Sequence, residues 1–208
     1  MKYDGILFDL DGTLWNATDA IRISWNMAVK NFSESKDREF TSEELEGVMG
    51  LPMNEIAKKL FPALNSDKQL EVLEKCCEVE NNYLAEHGGI LYPELEETLE
   101  YLCRSYKLFI VSNGQSGYIQ SFLKAHDLKK YFSDFQNWGD NKVSKGENNK
   151  LIIARNNLEN AIYVGDTKGD ALSAQTAGIP FVFARYGFGD VDKYDYVIDS
   201  FSELKNIF

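Results

Sequence analysis

Short, nearly continuous apolar runs alternate with amphipathic stretches along most of the chain. One helical pattern lies between most successive runs, as at Glu94–Tyr106, where Leu95 and Leu99 share a face. Runs of this length and character are typical of strands that are covered on both faces. The alternation therefore predicts an α/β fold with a parallel sheet between layers of helices. The predicted strands are Gly5–Phe8, Lys107–Val111, Phe135–Trp138, Ala161–Val164, Phe181–Ala184 and Tyr196–Ile198.

One interval breaks this alternation. Between Trp15 and about Gly88 no run has the character of a strand, and four helical patterns follow one another. Capping boxes at Thr41–Glu44 and Ser66–Gln69 predict two of the helix starts, and Pro52 suits the first turn of another helix. The interval is therefore predicted to be a helical insertion between the first two strands of the core.

This insertion divides the chain into two predicted domains. Residues 1–14 and 88–208 contain every predicted strand and form the core domain. Residues 15–87 form an all-helical cap domain, and the glycine pair at residues 88–89 marks the return to the core.

Composition and charge narrow the classes of function. The 208 residues are 44% hydrophobic and 26% charged, as in an ordinary globular protein. The formal net charge of −11 disfavours nucleic acid and anionic membrane as partners, although a local site can still bind a small anion. Three cysteines, an acidic N-terminal stretch and short apolar runs predict a reduced, cytoplasmic protein. We expect a monomer or a weak homodimer.

An acidic motif, FDLDGTL at residues 8–14, follows the first predicted strand. Because side chains alternate in an extended chain, Asp9 and Asp11 can point to one side, where open α/β sheets bind ligands. Two crowded carboxylates suit a divalent metal, with one carboxylate available for covalent attack. Gly12 permits a turn that brings backbone N–H groups toward an anion. The competing interpretation is an acidic turn without function.

The next predicted strand of the core ends at a polar loop. Ser112 offers a hydroxyl there, and Asn113 and Gly114 offer backbone N–H groups, all of which can hold a phosphoryl oxygen. An ordinary loop would have the same composition.

A lysine follows further along the chain. Lys145 precedes a predicted helix and could place a positive charge on a phosphate and on a metal-bound carboxylate. Lys142 and Lys150 compete for this role, and most lysines are solvated surface charges.

A second acidic motif, GDTKGD at residues 165–170, follows the strand predicted at Ala161–Val164. Asp166 would face a metal directly, and Asp170 would lie in the first turn of the next helix. Helix capping is the competing role for such acids.

In this order, the motifs resemble those of the haloacid dehalogenase-like hydrolase superfamily. DLDGT at residues 9–13, Ser112, the lysine and GDxxxD at residues 165–170 carry the resemblance, which covers essentially the whole chain. GLP at residues 50–52 also resembles the phosphoglycolate phosphatase-like branch. One departure is Gly146, where many relatives have proline. The resemblance implies a Rossmann-like core and a C1-type helical cap.

The resemblance also implies a Mg²⁺-dependent phosphatase that acts on a small phosphate monoester, such as a phosphoglycolate-like ester, a sugar phosphate or a nucleotide. Asp9 would be the nucleophile that forms an aspartyl-phosphate, and Asp11 would be the general acid and base. The implied phosphate-binding residues are Ser112, Asn113 and Lys145. The implied ligands of Mg²⁺ are Asp9, the backbone carbonyl of Asp11, Asp166 and Asp170, the last directly or through water.

Two alternative functions remain open from the sequence. A phosphomutase of the β-phosphoglucomutase type shares these motifs and transfers the phosphoryl group to a sugar hydroxyl. A non-catalytic phospho-ligand-binding protein could use the same scaffold, whereas Asp11 disfavours a dehalogenase. We expect the loop at residues 49–53 to select the substrate. Of the three tryptophans, Trp15 is the one expected near the site. Residues 185–189 are expected to serve in loop packing, with contact to the rim of the site as the alternative.

Overall fold

The computed structural model describes residues 3–33, 35–51 and 53–208 of the chain, so the predicted role of Pro52 lies outside the described residues. These described residues form eight strands, and six of the strands form one parallel sheet. In chain order the strands are β1 (Gly5–Phe8), β2 (Trp15–Asn16), β3 (Ile90–Leu91), β4 (Lys107–Ser112), β5 (Phe132–Asn137), β6 (Ala161–Gly165), β7 (Phe181–Ala184) and β8 (Tyr196–Ile198). The order across the large sheet is β5-β4-β1-β6-β7-β8.

The central position of β1 follows from its side chains, all of which are buried. Ile6 and Phe8 pack into the hydrophobic cluster on one face of the sheet, and Leu7 packs into the cluster on the other face. A strand that is apolar on both faces is stable only where helices cover both faces. The prediction of an α/β fold with a Rossmann-like parallel core is therefore confirmed.

Ten α-helices surround the sheets in the described part of the chain. They are α1 (Thr18–Val29), α2 (Ser42–Glu46), α3 (Met53–Leu60), α4 (Ser66–His87), α5 (Leu95–Leu102), α6 (Tyr118–His126), α7 (Trp138–Asn141), α8 (Lys145–Arg155), α9 (Lys168–Ala177) and α10 (Leu204–Ile207). None of the helices formed by the described residues combines the length and the hydropathy that crossing a bilayer requires.

Helices α1–α4 occupy the interval in which four helical patterns were predicted. An aromatic group holds these helices together, because Trp25 stacks on Phe61 and both rings meet Phe40 edge-on. The capping box that was predicted at the start of α2 is confirmed, since Thr41 accepts from the backbone of Glu44 and the Glu44 side chain accepts in return.

Several local predictions were wrong. A short strand, β2, begins at Trp15 and pairs antiparallel with β3. Neither strand was predicted from the sequence, because two residues are too few to show a hydrophobic pattern. Asn65 rather than Ser66 caps α4, accepting from the backbone of Lys68. Trp138 begins α7 instead of ending β5.

Candidate active site

The carboxyl ends of three neighbouring strands bring the predicted residues together. Strand β1 lies between β4 and β6, so Asp9, Ser112 and Asp166 follow or end adjacent strands at one edge of the sheet. The backbone N–H of Asp9 continues the sheet pairing by donating to Val164 O at 2.8 Å. Sheet topology therefore assembles groups that are far apart in sequence, at the edge where such sheets bind ligands.

Lys145 is buried between two carboxylates. Its Nζ lies 2.7 Å from Asp9 Oδ1 and 2.7 Å from Asp170 Oδ1. Burial by itself lowers the pKa of Lys145, but the charges of Asp170 and Asp9 hold that pKa above its usual value. Of the two competing lysines, Lys150 pairs with Glu147 and Lys142 lies over the ring of Trp138. The lysine of the acidic cluster is thus Lys145.

Three buried carboxylates form a cluster beside this lysine. Asp9, Asp166 and Asp170 each offer an oxygen within 4.8 Å of the others. Burial and the neighbouring charge of Asp170 raise the pKa of Asp9 well above its usual value and that of Asp166 to about 7. Carboxylates in this arrangement repel one another until a cation compensates them.

One oxygen of Asp166 has no hydrogen-bond partner among the described residues. Asp166 Oδ2 accepts a 2.7 Å hydrogen bond from the backbone N–H of Phe188, whereas Oδ1 is buried and accepts none from the part of the chain that the structure describes. A buried carboxylate oxygen that lacks a partner is strongly disfavoured unless it binds an ion or water. The cluster is therefore chemically suited to a hard divalent cation, for which carboxylate oxygens are the ordinary ligands.

Asp170 has both oxygens engaged. Oδ1 accepts from Lys145, and Oδ2 accepts from the hydroxyl and the backbone N–H of Thr167 at 2.6 and 3.0 Å. Thr167 and Asp170 form a capping box at the start of α9, so helix capping and membership of the acidic cluster coexist in one residue.

Asp11 does not belong to the carboxylate cluster. Its Oδ1 accepts hydrogen bonds from the Tyr118 hydroxyl at 2.6 Å and from Trp15 Nε1 at 3.0 Å. Burial raises the pKa of Asp11 to about 6, although these two hydrogen bonds lower it. A carboxyl group with such a pKa can hold a proton near neutral pH, as a general acid must.

The loop after β4 faces the same site. Ser112 is buried, and its Oγ accepts from the backbone N–H of Gly114 at 3.0 Å, which leaves its hydroxyl proton free to donate elsewhere. The side chain of Asn113 donates to Gly50 O at 2.8 Å. This hydrogen bond joins the loop after β4 directly to residues 15–87, which contain α1–α4 and are called the helical segment below.

The turn after Asp11 needs glycine. Gly12 has a φ of 81°, and a Cβ at this position would overlap the carboxylate of Asp166. Its N–H donates to Trp15 O, so it does not face open space and is not an anion-binding N–H.

The loop at residues 185–189 also contacts the site, because the backbone N–H of Phe188 donates a hydrogen bond to Asp166 Oδ2. Of the two roles that the sequence left open for this loop, the less favoured one, contact with the rim of the site, is therefore present.

A cavity of about 50 Å³ lies between the first acidic motif, at residues 8–14, and the helical segment. Asp9, Asp11, Ser112 and Lys145 line one part of it. Met49, Gly50, Leu51 and Met53 belong to the loop predicted to select the substrate, and they also line it. The cavity joins the predicted chemical groups to the predicted selecting loop.

Sequence reasoning missed Tyr118, Glu80 and Gln115, all of which line this cavity. Glu80 left a signal, because it is an acid on the apolar face of α4 that also carries Leu73 and Leu84. Tyr118 and Gln115 left none, since a tyrosine at a helix start and a glutamine in a loop have many ordinary roles.

Comparison with known proteins shows which family this chain belongs to. A sequence model described as haloacid dehalogenase-like hydrolase matches residues 6–184. The chain belongs to this family. It is an enzyme, a phosphoric monoester hydrolase, as the order of its motifs predicted.

Individual relatives cover the chain from end to end. It is 27% identical to the phosphoglycolate phosphatase of Vibrio parahaemolyticus, over 97% of this chain and 94% of the relative. It is also 27% identical to the phosphoglycolate phosphatase of Salmonella typhi, over 96% and 90%. A solved structure from Haemophilus somnus, described as a predicted phosphoglycolate phosphatase, has the same fold with a TM-score of 0.85 and 24% identity. That match covers 100% of this chain and 98% of the other.

Proposed function

We propose that the protein hydrolyses a small phosphate monoester in a Mg²⁺-dependent reaction that passes through a phosphorylated Asp9. The observation that carries this proposal is the position of Asp9, whose carboxylate lies between the buried Lys145 ammonium and the unpartnered oxygen of Asp166. The Lys145 ammonium holds this carboxylate in place, a cation beside Asp166 would offset the repulsion between the two acids, and Asp9 lines the cavity that would admit the ester.

In the first step, a carboxylate oxygen of Asp9 attacks phosphorus and the bond from phosphorus to the alcohol oxygen breaks. Asp11 supplies the proton that the departing alcohol oxygen needs, and its pKa of about 6 suits this transfer. The hydroxyl of Ser112 and the ammonium of Lys145 stabilise charge on the phosphoryl oxygens.

In the second step, Asp11 removes a proton from a water molecule, whose oxygen attacks the same phosphorus. The bond from phosphorus to Asp9 breaks, which releases inorganic phosphate and restores both carboxyl groups. One residue can serve in both steps because the proton that it loses in the first is regained in the second.

We assign the metal ligands to Asp9 and Asp166, together with the backbone carbonyl of Asp11. Asp170 acts through water or through Lys145, because both of its oxygens already accept hydrogen bonds. When bound, Mg²⁺ supplies positive charge that offsets the three carboxylates and polarises the phosphoryl group.

We further propose that residues 15–87 act as a cap over a core made of residues 1–14 and 88–208. Residues of this segment supply most of the apolar wall of the cavity, and the Asn113 side chain, in the loop after β4, donates to Gly50 O. A cap in this position would contact the part of the substrate beyond the phosphate and would exclude bulk water from the site.

Phosphate release from a panel of small monoesters, with Mg²⁺ or with EDTA, tests this function. We expect release that requires the metal and is lost in Asp9→Asn, which keeps the shape of the side chain and removes the nucleophile. Asp192→Asn is the matched control, because Asp192 is exposed and pairs with Lys168 on the surface. Full activity in Asp9→Asn would refute the mechanism, and isomerised sugar phosphate without free phosphate would establish a phosphomutase.

A further inference from the structure

A single buried acid lies in the part of the cavity wall that the helical segment contributes. Glu80 of α4 is 3% exposed and lines the cavity together with apolar side chains such as Trp25, Val48 and Ile56. An ionisable group in such a wall is strongly disfavoured by the loss of solvent, so its presence at a ligand-facing position calls for a functional explanation.

Glu80 is held by two donors and keeps acceptor capacity. Trp25 Nε1 donates to Oε2, and Gln115 Nε2 donates to Oε1 at 3.0 Å. These two hydrogen bonds lower the pKa of Glu80, but burial raises it more, to about 7, so the carboxylate is the main form above neutral pH. Each carboxylate oxygen can accept more than one hydrogen bond, so a hydroxyl of a bound molecule can still donate to Glu80.

The cavity holds no free positive charge for a second anionic group. Among the described residues that line it, Lys145 is the one cation, and its ammonium is already bound to Asp9 and Asp170. The acids Asp9, Asp11 and Glu80 line the same space. A carboxylate in the alcohol part of a substrate would therefore meet negative charge without compensation, which is strongly unfavourable in a buried site.

We infer that the enzyme selects phosphate esters of an uncharged alcohol that carries a second hydroxyl, and that Glu80 rejects esters whose alcohol part carries a carboxylate. This inference rests on the proposed phosphatase activity and makes its substrate class specific. It also separates this chain from its relatives, because the phosphoglycolate in their names carries a carboxylate.

A purely structural role for Glu80 makes a different prediction. Gln115 also donates to Asn81, and Asn81 donates to Ser116 O, so this group of hydrogen bonds fastens α4 to the loop after β4. If Glu80 served only this attachment, its removal would affect all substrates equally. The ratio between two substrates that differ in charge therefore separates the two roles.

The test compares 2-hydroxyethyl phosphate with 2-phosphoglycolate, which share a two-carbon chain and differ at its far end. Values of kcat/KM are measured with saturating Mg²⁺ at about pH 8, where a carboxyl group with an ordinary or modestly raised pKa is ionised. We expect wild-type enzyme to favour the hydroxyethyl ester by about tenfold or more. In Glu80→Gln, which is neutral and of the same size, we expect this preference to fall by about tenfold.

Glu78→Gln is the matched control, because Glu78 lies on the same helix, is exposed and pairs with Lys75. We expect it to keep the wild-type ratio. Wild-type preference for phosphoglycolate, or an unchanged ratio in Glu80→Gln, would overturn the inference and leave the phosphatase intact. The wild-type ratio needs no variant, so it decides the matter even where Glu80→Gln does not fold. Absence of phosphate release from every ester would instead refute the proposed function and this inference with it.

Discussion

The hydroxyl of Tyr118 donates a 2.6 Å hydrogen bond to Asp11 Oδ1, the oxygen that also accepts from Trp15 Nε1. Tyr118 begins α6, and Trp15 begins the short strand β2, so two elements that are distant in sequence hold one carboxyl group. With two donors on the same oxygen, the rotation of the Asp11 side chain is fixed. The general acid of the proposed mechanism is therefore oriented before any substrate binds.

Removal of the tyrosine hydroxyl tests this orientation. In Tyr118→Phe we expect kcat to fall by about tenfold to a hundredfold, because a hydrogen bond to a charged group contributes about 1.5–3 kcal/mol. KM should change little, since Tyr118 holds the acid rather than the phosphate. Steady-state kinetics give both constants, and thermal unfolding of the same preparation reports any general loss of stability.

Tyr101→Phe is the matched control, because Tyr101 is an exposed tyrosine on α5. Both constants should stay at wild-type values in that variant. Unchanged kcat in Tyr118→Phe would show that Trp15 alone suffices to orient Asp11. A rise in KM without a fall in kcat would place Tyr118 among the substrate-binding residues instead.

Lys145 gives a prediction for both stability and activity. In Lys145→Met the buried carboxylates of Asp9 and Asp170 lose their shared cation, and removal of one partner from a buried ion pair destabilises a protein by about 3–5 kcal/mol. We expect a loss of this size in the free energy of urea unfolding without metal, and phosphatase activity too low to detect.

Lys150→Met provides the comparison, because Lys150 lies on the same helix and makes an exposed pair with Glu147. Surface pairs of this kind contribute about 0–1 kcal/mol, so stability and activity should remain near wild type. Equal effects of the two substitutions would contradict the role that the buried geometry assigns to Lys145.

The parts of the structure that could be predicted from sequence are those with a local signature. Strand β1 is buried on both faces, and that environment leaves an uninterrupted apolar run. Asp9, Asp166 and Lys145 each follow a strand or open a helix, so their meeting at one sheet edge could be anticipated from topology.

Other parts of the site depend on contacts that have no local signature. The bond from Phe188 to Asp166 uses a backbone N–H, which any residue except proline offers. Tyr118 reaches Asp11 across 107 positions of the chain. Only Glu80 could have been recognised, since an acid within an apolar helix face has an identifiable environment in a folded protein.

Gly12 and Gly178 form a matched pair for a test of crowding beside the carboxylates. Both have a positive φ, 81° and 72°, but a Cβ on Gly12 would overlap Asp166 whereas a Cβ on Gly178 has nothing within 4 Å. Gly178→Ala should lose only the backbone preference, about 1–2 kcal/mol in the free energy of unfolding, and keep its activity. Gly12→Ala should lose more stability and most of its activity. Comparable activity in the two variants would contradict this assignment.

Glu80 predicts how stability depends on pH in the protein without metal. Burial, and to a smaller extent the charge of Asp11, raise the pKa of Glu80 to about 7, although the hydrogen bonds from Gln115 and Trp25 lower it. An acid whose pKa is higher in the folded state binds more protons there, so its contribution to stability is complete below the unfolded pKa and is lost as pH rises through 7.

The measurement is the free energy of urea unfolding of wild type and Glu80→Gln in EDTA. Between about pH 5 and about pH 8, the difference between the two proteins should move by about 2–3 kcal/mol in favour of Glu80→Gln. The glutamine does not titrate, so hydrogen bonds that it loses add an offset that does not vary with pH. Glu78→Gln, at an exposed position that pairs with Lys75, is the control for the substitution itself, because a change with pH that appeared in both variants would not come from the burial of Glu80. A difference for Glu80→Gln that stays constant across this range would show that Glu80 keeps an ordinary pKa despite its burial.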